Sequence, residues 1–440
     1  TLEKDLEMPM ILNILGLRRT GKSTIVKQLI AKLLSQTVKP ANIFYYLFDD
    51  YANINTRENL EAILNFYLEN ILEKKIYELE DRVYIFLDEI QYTKDWQPVL
   101  KKYYDLSEKK IKFVITGSQS ILLRKKSAET LAGRIFDYYL SPLSFMEFLK
   151  AKNISFLNDL LKIETALFGI KETFKLLETV EYNHKQKLFD LSKEYILSGQ
   201  FPECLDIEDP EKKNTYLKES VIGKVAEDIM TIYDIDKKEN FKILANYLFV
   251  NSASLLELKN IAEKIGLSSI SLDKYFDYMK SGYLFKVLYR QHKTLIKQGR
   301  MLKKNYATSS NFIAAIRNYQ LRHFEEVPEV FGHIIETAVY NFLDKNYSGD
   351  LLADEISFWR QGEKEIDFII TKNKKQLPIE VKFANAINVK DLSPLINYID
   401  KKKTDFGIVV TKNELNKKEI SGKTIYFVPV FLFLLLSKPS

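Results

Sequence analysis

The segment that most constrains this chain lies near its start. An apolar run, Ile11-Leu12-Asn13-Ile14-Leu15, leads into Gly16-Leu17-Arg18-Arg19-Thr20-Gly21-Lys22-Ser23, and Thr24-Ile25-Val26-Lys27-Gln28-Leu29-Ile30 follows with helical character. A strand that breaks at glycine and restarts as a helix must turn sharply at one edge of a sheet. The two glycines let successive backbone N–H groups face inward around an anion. The helix behind them aims its positive end at the same point. Lys22 has the reach for the outer phosphates of a nucleotide, and Ser23 offers a hydroxyl to Mg²⁺. With only 15 glycines in 440 residues, chance supplies this spacing rarely. The spacing predicts a phosphate cradle over residues 16–24.

The first 150 residues alternate β-branched and aromatic runs (11–15, 43–48, 83–87, 111–116 and 136–140) with helical stretches. Continuous apolar strands alternating with helices predict an α/β fold, a parallel sheet covered on both faces. Ligands of such sheets sit at the carboxyl ends of the strands. The run Arg82-Val-Tyr-Ile-Phe-Leu-Asp88-Glu89 ends in two acids at that edge. Asp88 would hold Mg²⁺ opposite Ser23, and Glu89 would orient and polarise the attacking water. The run 111–116 ends in Gly117-Ser118-Gln119-Ser120, where Ser118 is a candidate sensor of the γ-phosphate. Arg134, before the fifth run, either stabilises transition-state charge, in cis or on a neighbouring subunit, or is an ordinary ion-pair residue.

Length predicts two to four domains. Hydrophobic content of 46% and charged content of 28% are ordinary for a globular protein. The net charge of +6 permits a polyanionic partner without arguing for one. A single cysteine, Cys204, excludes an internal disulfide and fits a reducing cytoplasm. The start is charged and unlike a signal peptide, and the apolar stretch Val430–Leu436 is too short to span a bilayer, so no membrane partner is expected.

Residues 151–250 read as a helical, charged connector, broken at Ser198-Gly199-Gln200-Phe201-Pro202-Glu203. Over 251–324, Leu255, Leu258, Ile261, Ala262 and Ile265 recur at helical spacing up to Gly266. A second helix bearing Leu272, Tyr275, Phe276 and Met279 follows, then the β-like run Tyr283–Tyr289. That order suggests a winged helix-turn-helix, whose second helix would present Ser269, Ser271 and Lys274. Its polar face is neutral, which leaves DNA contact and packing against the rest of the chain both open.

In the tail, 325–440, Phe358-Trp-Arg-Gln-Gly-Glu-Lys-Glu365-Ile-Asp367-Phe-Ile-Ile370 and Leu377-Pro-Ile-Glu380-Val-Lys382-Phe383 flank a polar turn, which predicts a hairpin. Alternation puts Glu365 with Asp367, and Glu380 with Lys382, on common faces. Pairing that brings Asp367 to Glu380 would make an all-oxygen site for Mg²⁺ or Mn²⁺, with Glu336 on the preceding helix as a further ligand. Lys382 would then hold a lytic water or the scissile phosphate.

Gly16–Ser23, Phe86-Leu-Asp-Glu-Ile-Gln91 with Trp96, Ile115-Thr-Gly-Ser118 and Leu131-Ala-Gly-Arg134 resemble the AAA-related (ASCE) P-loop ATPases of archaea and bacteria that carry G-x-R-R-x-G-K-[ST] loops. The resemblance continues through Leu140-Ser-Pro-Leu-Ser-Phe-Met-Glu-Phe148 and the G-x-F-P-E turn at 199–203. It implies ATP hydrolysis with Mg²⁺. The tail resembles the PD-(D/E)xK nuclease core, with Asp367 and Glu380 matching its metal-binding acids, Lys382 its lysine, and Ile366 standing where that family has proline. Two functions follow as expectations. One is an ATPase coupled to binding or processing of DNA or RNA. The other is an ATP-gated regulatory or defence switch whose inactive tail only binds a partner. A homo-oligomer suits either.

Overall fold

The computed structural model describes residues 2–48, 56–117, 130–163, 167–256, 258–292, 302–326, 331–348 and 354–436. The chain divides into two compact units, Thr1–Ser141 and Pro142–Ser440. Among the described residues no helix is long and apolar enough to cross a membrane.

In the first unit, β1 (Ile11–Gly16), β2 (Ile43–Leu47), β3 (Val83–Asp88), β4 (Ile111–Gly117) and β5 (Ile135–Leu140) form one parallel sheet in the order β2-β3-β4-β1-β5. β1, β3 and β4 are buried along their whole length, as their mainly apolar runs require, with Asn13 and Lys112 buried among them. Side-chain alternation sorts them between two cores. Ile11, Leu15, Ile85, Leu87, Phe113 and Ile115 pack with the helices Arg57–Phe66 and Trp96–Leu106. Leu12, Ile14, Phe86 and Val114 pack with Val26, Leu29 and Leu33 of the helix Lys22–Ser35. The strands begin and end within one residue of the positions expected from the sequence.

The division at 141 differs from the expected boundary at 150. Ser144 and Glu147 cap the helix Phe145–Ala151 reciprocally. Phe145 and Phe148 then lie with ring centroids 5.2 and 5.7 Å from that of Tyr195, on the 29-residue helix Ile170–Ser198. These contacts tie residues 142–150 to the second unit. The carboxyl end of the long helix meets a buried polar plug. Asn311 Nδ2 donates to the carbonyls of Tyr195 (2.9 Å) and Ile196 (2.8 Å), and Gln200 N–H donates to Asn311 Oδ1 (2.7 Å). A helix end buried without such donors would leave carbonyls unsatisfied.

Farther on, the helices Leu258–Ile265 and Ser269–Ser281 precede an antiparallel pair, β6 (Phe285–Tyr289) and β7 (Lys303–Ala307). A six-stranded mixed sheet follows in the order β12-β13-β11-β10-β9-β8. Its strands are β8 (Asp354–Gln361), β9 (Lys364–Lys372), β10 (Lys375–Lys382), β11 (Gly407–Thr411), β12 (Asn416–Ile420) and β13 (Lys423–Pro429). β8, β9 and β10 are antiparallel neighbours, and β11 runs parallel to β10 after the helix Ser393–Lys402. The β9–β10 hairpin is tighter than the polar run 371–376 suggested. Asn373 and Lys374 both take left-handed backbone (φ 50 and 66), the two-residue turn that matches strand twist. The segment 358–370 is itself two strands, broken at Gly362 (φ 64).

Candidate functional site

At the carboxyl edge of the first sheet the chain leaves β1 at Gly16, whose register partner is Leu140 of β5. A Cβ at Gly16 would stand 2.4 Å from the Leu140 carbonyl oxygen, so glycine is the residue that lets β1 and β5 pair there. Arg19 (φ 65) and Gly21 (φ 93) then take left-handed backbone, and the helix Lys22–Ser35 starts from Gly21 without a side-chain cap. Thr20 Oγ1 donates to the Leu17 carbonyl (2.9 Å), closing the loop on itself. Lys22 is 4% exposed, and its ammonium lies inside the loop, donating to the carbonyls of Leu17 (2.9 Å) and Gly16 (3.3 Å). Arg18 Nη2 reaches the Tyr92 hydroxyl at 2.5 Å. Ser23 and Thr24 occupy the first helical turn. An internal cation at a helix N-terminus fits the phosphates of a nucleotide.

β4 lies between β1 and β3, which sets the ends of those two strands about 10 Å apart, two strand spacings. Asp88 ends β3 fully buried, one carboxylate oxygen accepting from Thr116 of β4 and the other from the Tyr45 hydroxyl of β2 (3.0 Å). Burial, then the Asp88 charge, pushes the Tyr45 phenol well above its ordinary range, so it stays a donor. Thr116 Oγ1 also accepts from the Glu89 backbone N–H (3.0 Å). Glu89 itself sits in left-handed backbone (φ 55, ψ 41), with Gln91 Nε2 donating to its carboxylate. A non-glycine residue in that conformation is strained, and its neighbours must hold it there. The arrangement aims one locked and one half-buried carboxylate at the edge where the loop stands, and this donor set, with the Ser23 hydroxyl, fits Mg²⁺.

Neither Thr116 nor Tyr45 was singled out by sequence. Thr116 does end its expected run, whereas Tyr45 lies in the middle of 43–48, where nothing local marks it.

Ser118 lies outside the described residues. Arg134 is at the other edge. Its carbonyl accepts from Ile11 N–H (2.8 Å) at the start of β1, and the length of β5, Ile135–Leu140, carries the chain from there to the loop edge. That is roughly 17–20 Å from the loop at strand rise. Its guanidinium grips Asp105 through two bonds (3.0 and 3.1 Å). The cis reading of Arg134 is therefore corrected: this residue is an ion-pair partner at the opposite end of the sheet.

In the tail the register does bring Asp367 to Glu380. Ile379 faces Phe368, and Asp367 Oδ2 accepts from the Val381 N–H (2.8 Å). The expected metal centre, however, is not what these acids build. Lys304 on β7, 3% exposed, places its ammonium 3.0 Å from Glu336, 2.6 Å from Glu365 and 3.6 Å from Asp367. Tyr306, two residues on and so on the same side of β7, donates to Glu336 (2.7 Å). Lys382 pairs with Glu380 at 2.6 Å, so its ammonium is committed to that carboxylate. Among the described residues no group of three or more His, Cys, Asp and Glu side chains is arranged to hold a metal ion. The physical reason is that a lysine stands at the point where the acids converge.

Burial, then the Asp367 charge, pushes the Glu336 carboxyl up to about 7 and that of Glu380 up to about 8. Burial works against the Lys304 ammonium, but Glu336, Asp367 and Glu365 outweigh it and hold it charged. One oxygen of Glu380, Oε2, is buried without a hydrogen-bond partner. Lys304 and Tyr306 were not among the residues expected at this site. Alternation over 303–307 places them on one face, yet no local pattern says which acids that face meets.

On the second helix of the 258–281 pair, Ser269 and Lys274 are exposed, while the Ser271 hydroxyl is 2.9 Å from that of Ser268, the N-cap. The exposed Asp273 and Asp277 share this helix, so it offers no basic stripe.

Residues 9–149 match the family model of the AAA domain. Residues 189–314 and 331–433 match two domains of unknown function (DUF8612 and DUF4143). An uncharacterized protein of Methanocaldococcus jannaschii is 26% identical over 391 residues, 86% of this chain and 76% of that protein. An uncharacterized protein of Haemophilus influenzae is 25% identical over 429 residues, 94% of this chain and 92% of that one. Among solved structures, a DNA polymerase III gamma subunit-related protein from Thermotoga maritima aligns with 64% of this chain and 96% of its own, at 14% identity and a TM-score of 0.26. The family match over residues 9–149, on a five-stranded parallel sheet, supports an AAA-type P-loop ATPase in this segment.

Proposed function

We propose that the chain is a Mg²⁺-dependent ATPase whose turnover governs a tail that engages nucleic acid without cutting it. The observation that carries the first half is that an internally held Lys22 and a buried Asp88 stand at the same edge of the sheet. Gly16–Thr24 would hold the phosphates, Ser23 and Asp88 the Mg²⁺, and Glu89 the attacking water. The metal would neutralise phosphate charge. Lys22 neutralises further charge, and Thr116 fixes the direction of both acids.

A nuclease-like reading of the tail draws support from antiparallel β8–β9–β10 followed by the helix Ser393–Lys402 and parallel β11, and a winged-helix reading from the two helices ahead of the β6–β7 hairpin. Lys304 favours binding over cleavage, because the acids that would gather a metal are already neutralised. Turnover by wild type, Lys22→Ala and Glu89→Gln tests the site. Lys22→Ala should bind no ATP, and Glu89→Gln should bind it yet hydrolyse it about 10²-fold more slowly. Wild-type turnover in either variant refutes the assignment. Labelled DNA and RNA with Mn²⁺ test the tail. Retention without cleavage is expected, and cleavage lost in Asp367→Ala with Glu380→Ala overturns the non-cutting reading.

A further inference from the structure

An open cleft of about 640 Å³ lies away from the acid cluster, between the helix Ser393–Lys402 and the strands β8–β10. Its size is that of a small-ligand site. Cations line it: Arg290, Lys364, Lys401 and Lys402. Glu355 carries the one carboxylate among the described lining residues. Three other lysines of the same sheet, Lys382, Lys418 and Lys423, each hold a carboxylate. Arg290, Lys364 and Lys401 form no ion pair among the described residues. Unpaired cations converging on a concavity raise the local concentration of anions.

The rest of the lining says which anion. Trp359 is half-buried, and its ring lies edge-on to Tyr398 at 5.9 Å. Lys402 Nζ stands over the Tyr398 ring, also at 5.9 Å. The Tyr398 hydroxyl lies 3.0 Å from Gln291 Oε1 and 2.9 Å from Gln376 Oε1. One O–H proton serves one of these oxygens, so the other carboxamide must turn its NH₂ to the phenol. Either way the wall carries fixed amide donors and acceptors beside an aromatic surface. A flat base takes stacking from such rings and edge hydrogen bonds from such amides, while its phosphates take the cations. An acidic peptide or a bare polyphosphate would leave the aromatic and amide groups without a role.

Resting on the reading that the tail engages nucleic acid, we propose that this cleft binds a nucleobase with its flanking phosphates, as one stretch of a single nucleic-acid strand. The site is distinct from the ATP loop and requires neither ATP turnover nor cleavage. The chain has two tryptophans, so in a Trp96→Phe full-length protein tryptophan fluorescence reports Trp359 alone. This protein is titrated with ten-nucleotide single-stranded DNA and RNA, with AMP, and with inorganic triphosphate. Oligonucleotides should quench Trp359. Lys401→Gln with Lys402→Gln should weaken binding about tenfold or more and reduce the salt slope by about 1.4, two phosphates at 0.7 each. Because both lysines are exposed, folding and ATP turnover should be unchanged. Oligonucleotides binding at least about tenfold tighter than AMP support a strand as occupant. AMP binding equally well supports the base-and-phosphate site but overturns the strand. Absence of quenching, equal quenching by triphosphate, or unchanged binding in the double variant overturns the proposal.

Discussion

Lys304→Met removes the cation at the centre of the tail while nearly keeping its volume, so the effect is electrostatic rather than a cavity. The lysine touches Glu336 at 3.0 Å, Glu365 at 2.6 Å and Asp367 at 3.6 Å. Glu365 keeps Arg360 at 2.9 Å, so the loss falls on Glu336 and Asp367. Breaking a buried pair by deleting one partner costs about 3–5 kcal/mol, and that is the expected loss above pH 8.

The sign with pH follows from Glu336. Its folded carboxyl is already raised to about 7 by burial and then by Asp367, and deleting Lys304 raises it further. A raised carboxyl means the folded state holds a proton that the unfolded chain releases. Stability from that proton is fully present below the unfolded value and is lost as pH rises through the folded one. The variant should therefore differ least from wild type near pH 5 and most near pH 8.5. Urea unfolding followed through Trp359, in the Trp96→Phe background, reads the tail without the first unit. Millimolar Mn²⁺ should recover part of the loss in the variant, where Glu336 and Asp367 again need a cation, and do nothing for wild type. A loss below about 1 kcal/mol at both pH values, or one larger at pH 5, would mean that Lys304 is not what neutralises the acids.

Gly16→Ala sets a Cβ against the Leu140 carbonyl at 2.4 Å, in a register that neither strand can leave cheaply. The expected cost is about 1–3 kcal/mol, with nucleotide affinity falling about tenfold or more, read by thermal unfolding and titration with a fluorescent ATP analogue. Undiminished affinity would mean the loop does not depend on β1–β5 pairing. Arg134→Ala should leave ATP turnover within about twofold at low protein concentration, because an arginine that touches the transition state contributes about 10³ or more. A fall of that size in the isolated chain would contradict the placement of Arg134 at the far edge.

What could be read from the sequence was what depends on neighbours in the chain. The five strands of the first unit are mainly apolar runs, interrupted at Asn13, Lys112 and Asp137, and each formed where its run stood. The β9–β10 hairpin was legible for the same reason, and with it the approach of Asp367 to Glu380. Three features depended on distant partners and were not legible. Phe145 and Phe148 read as the end of the first segment, but the ring they pack against, Tyr195, is about fifty residues away. Arg134 read as a residue near a site, but strand direction, not proximity in sequence, decides which edge an arginine preceding a strand occupies.

The acids of the tail read as a metal site because carboxylates on adjoining strands repel unless a cation joins them. That inference was sound as far as it went, and a cation does join them. Its identity turned on whether β7 delivered an ammonium to the same point, and the sequence 303–307 shows a lysine without showing what it faces. A sequence can therefore establish that a charge deficit exists at such a centre, while only the packing of a second element decides whether a side chain or an ion from solution fills it.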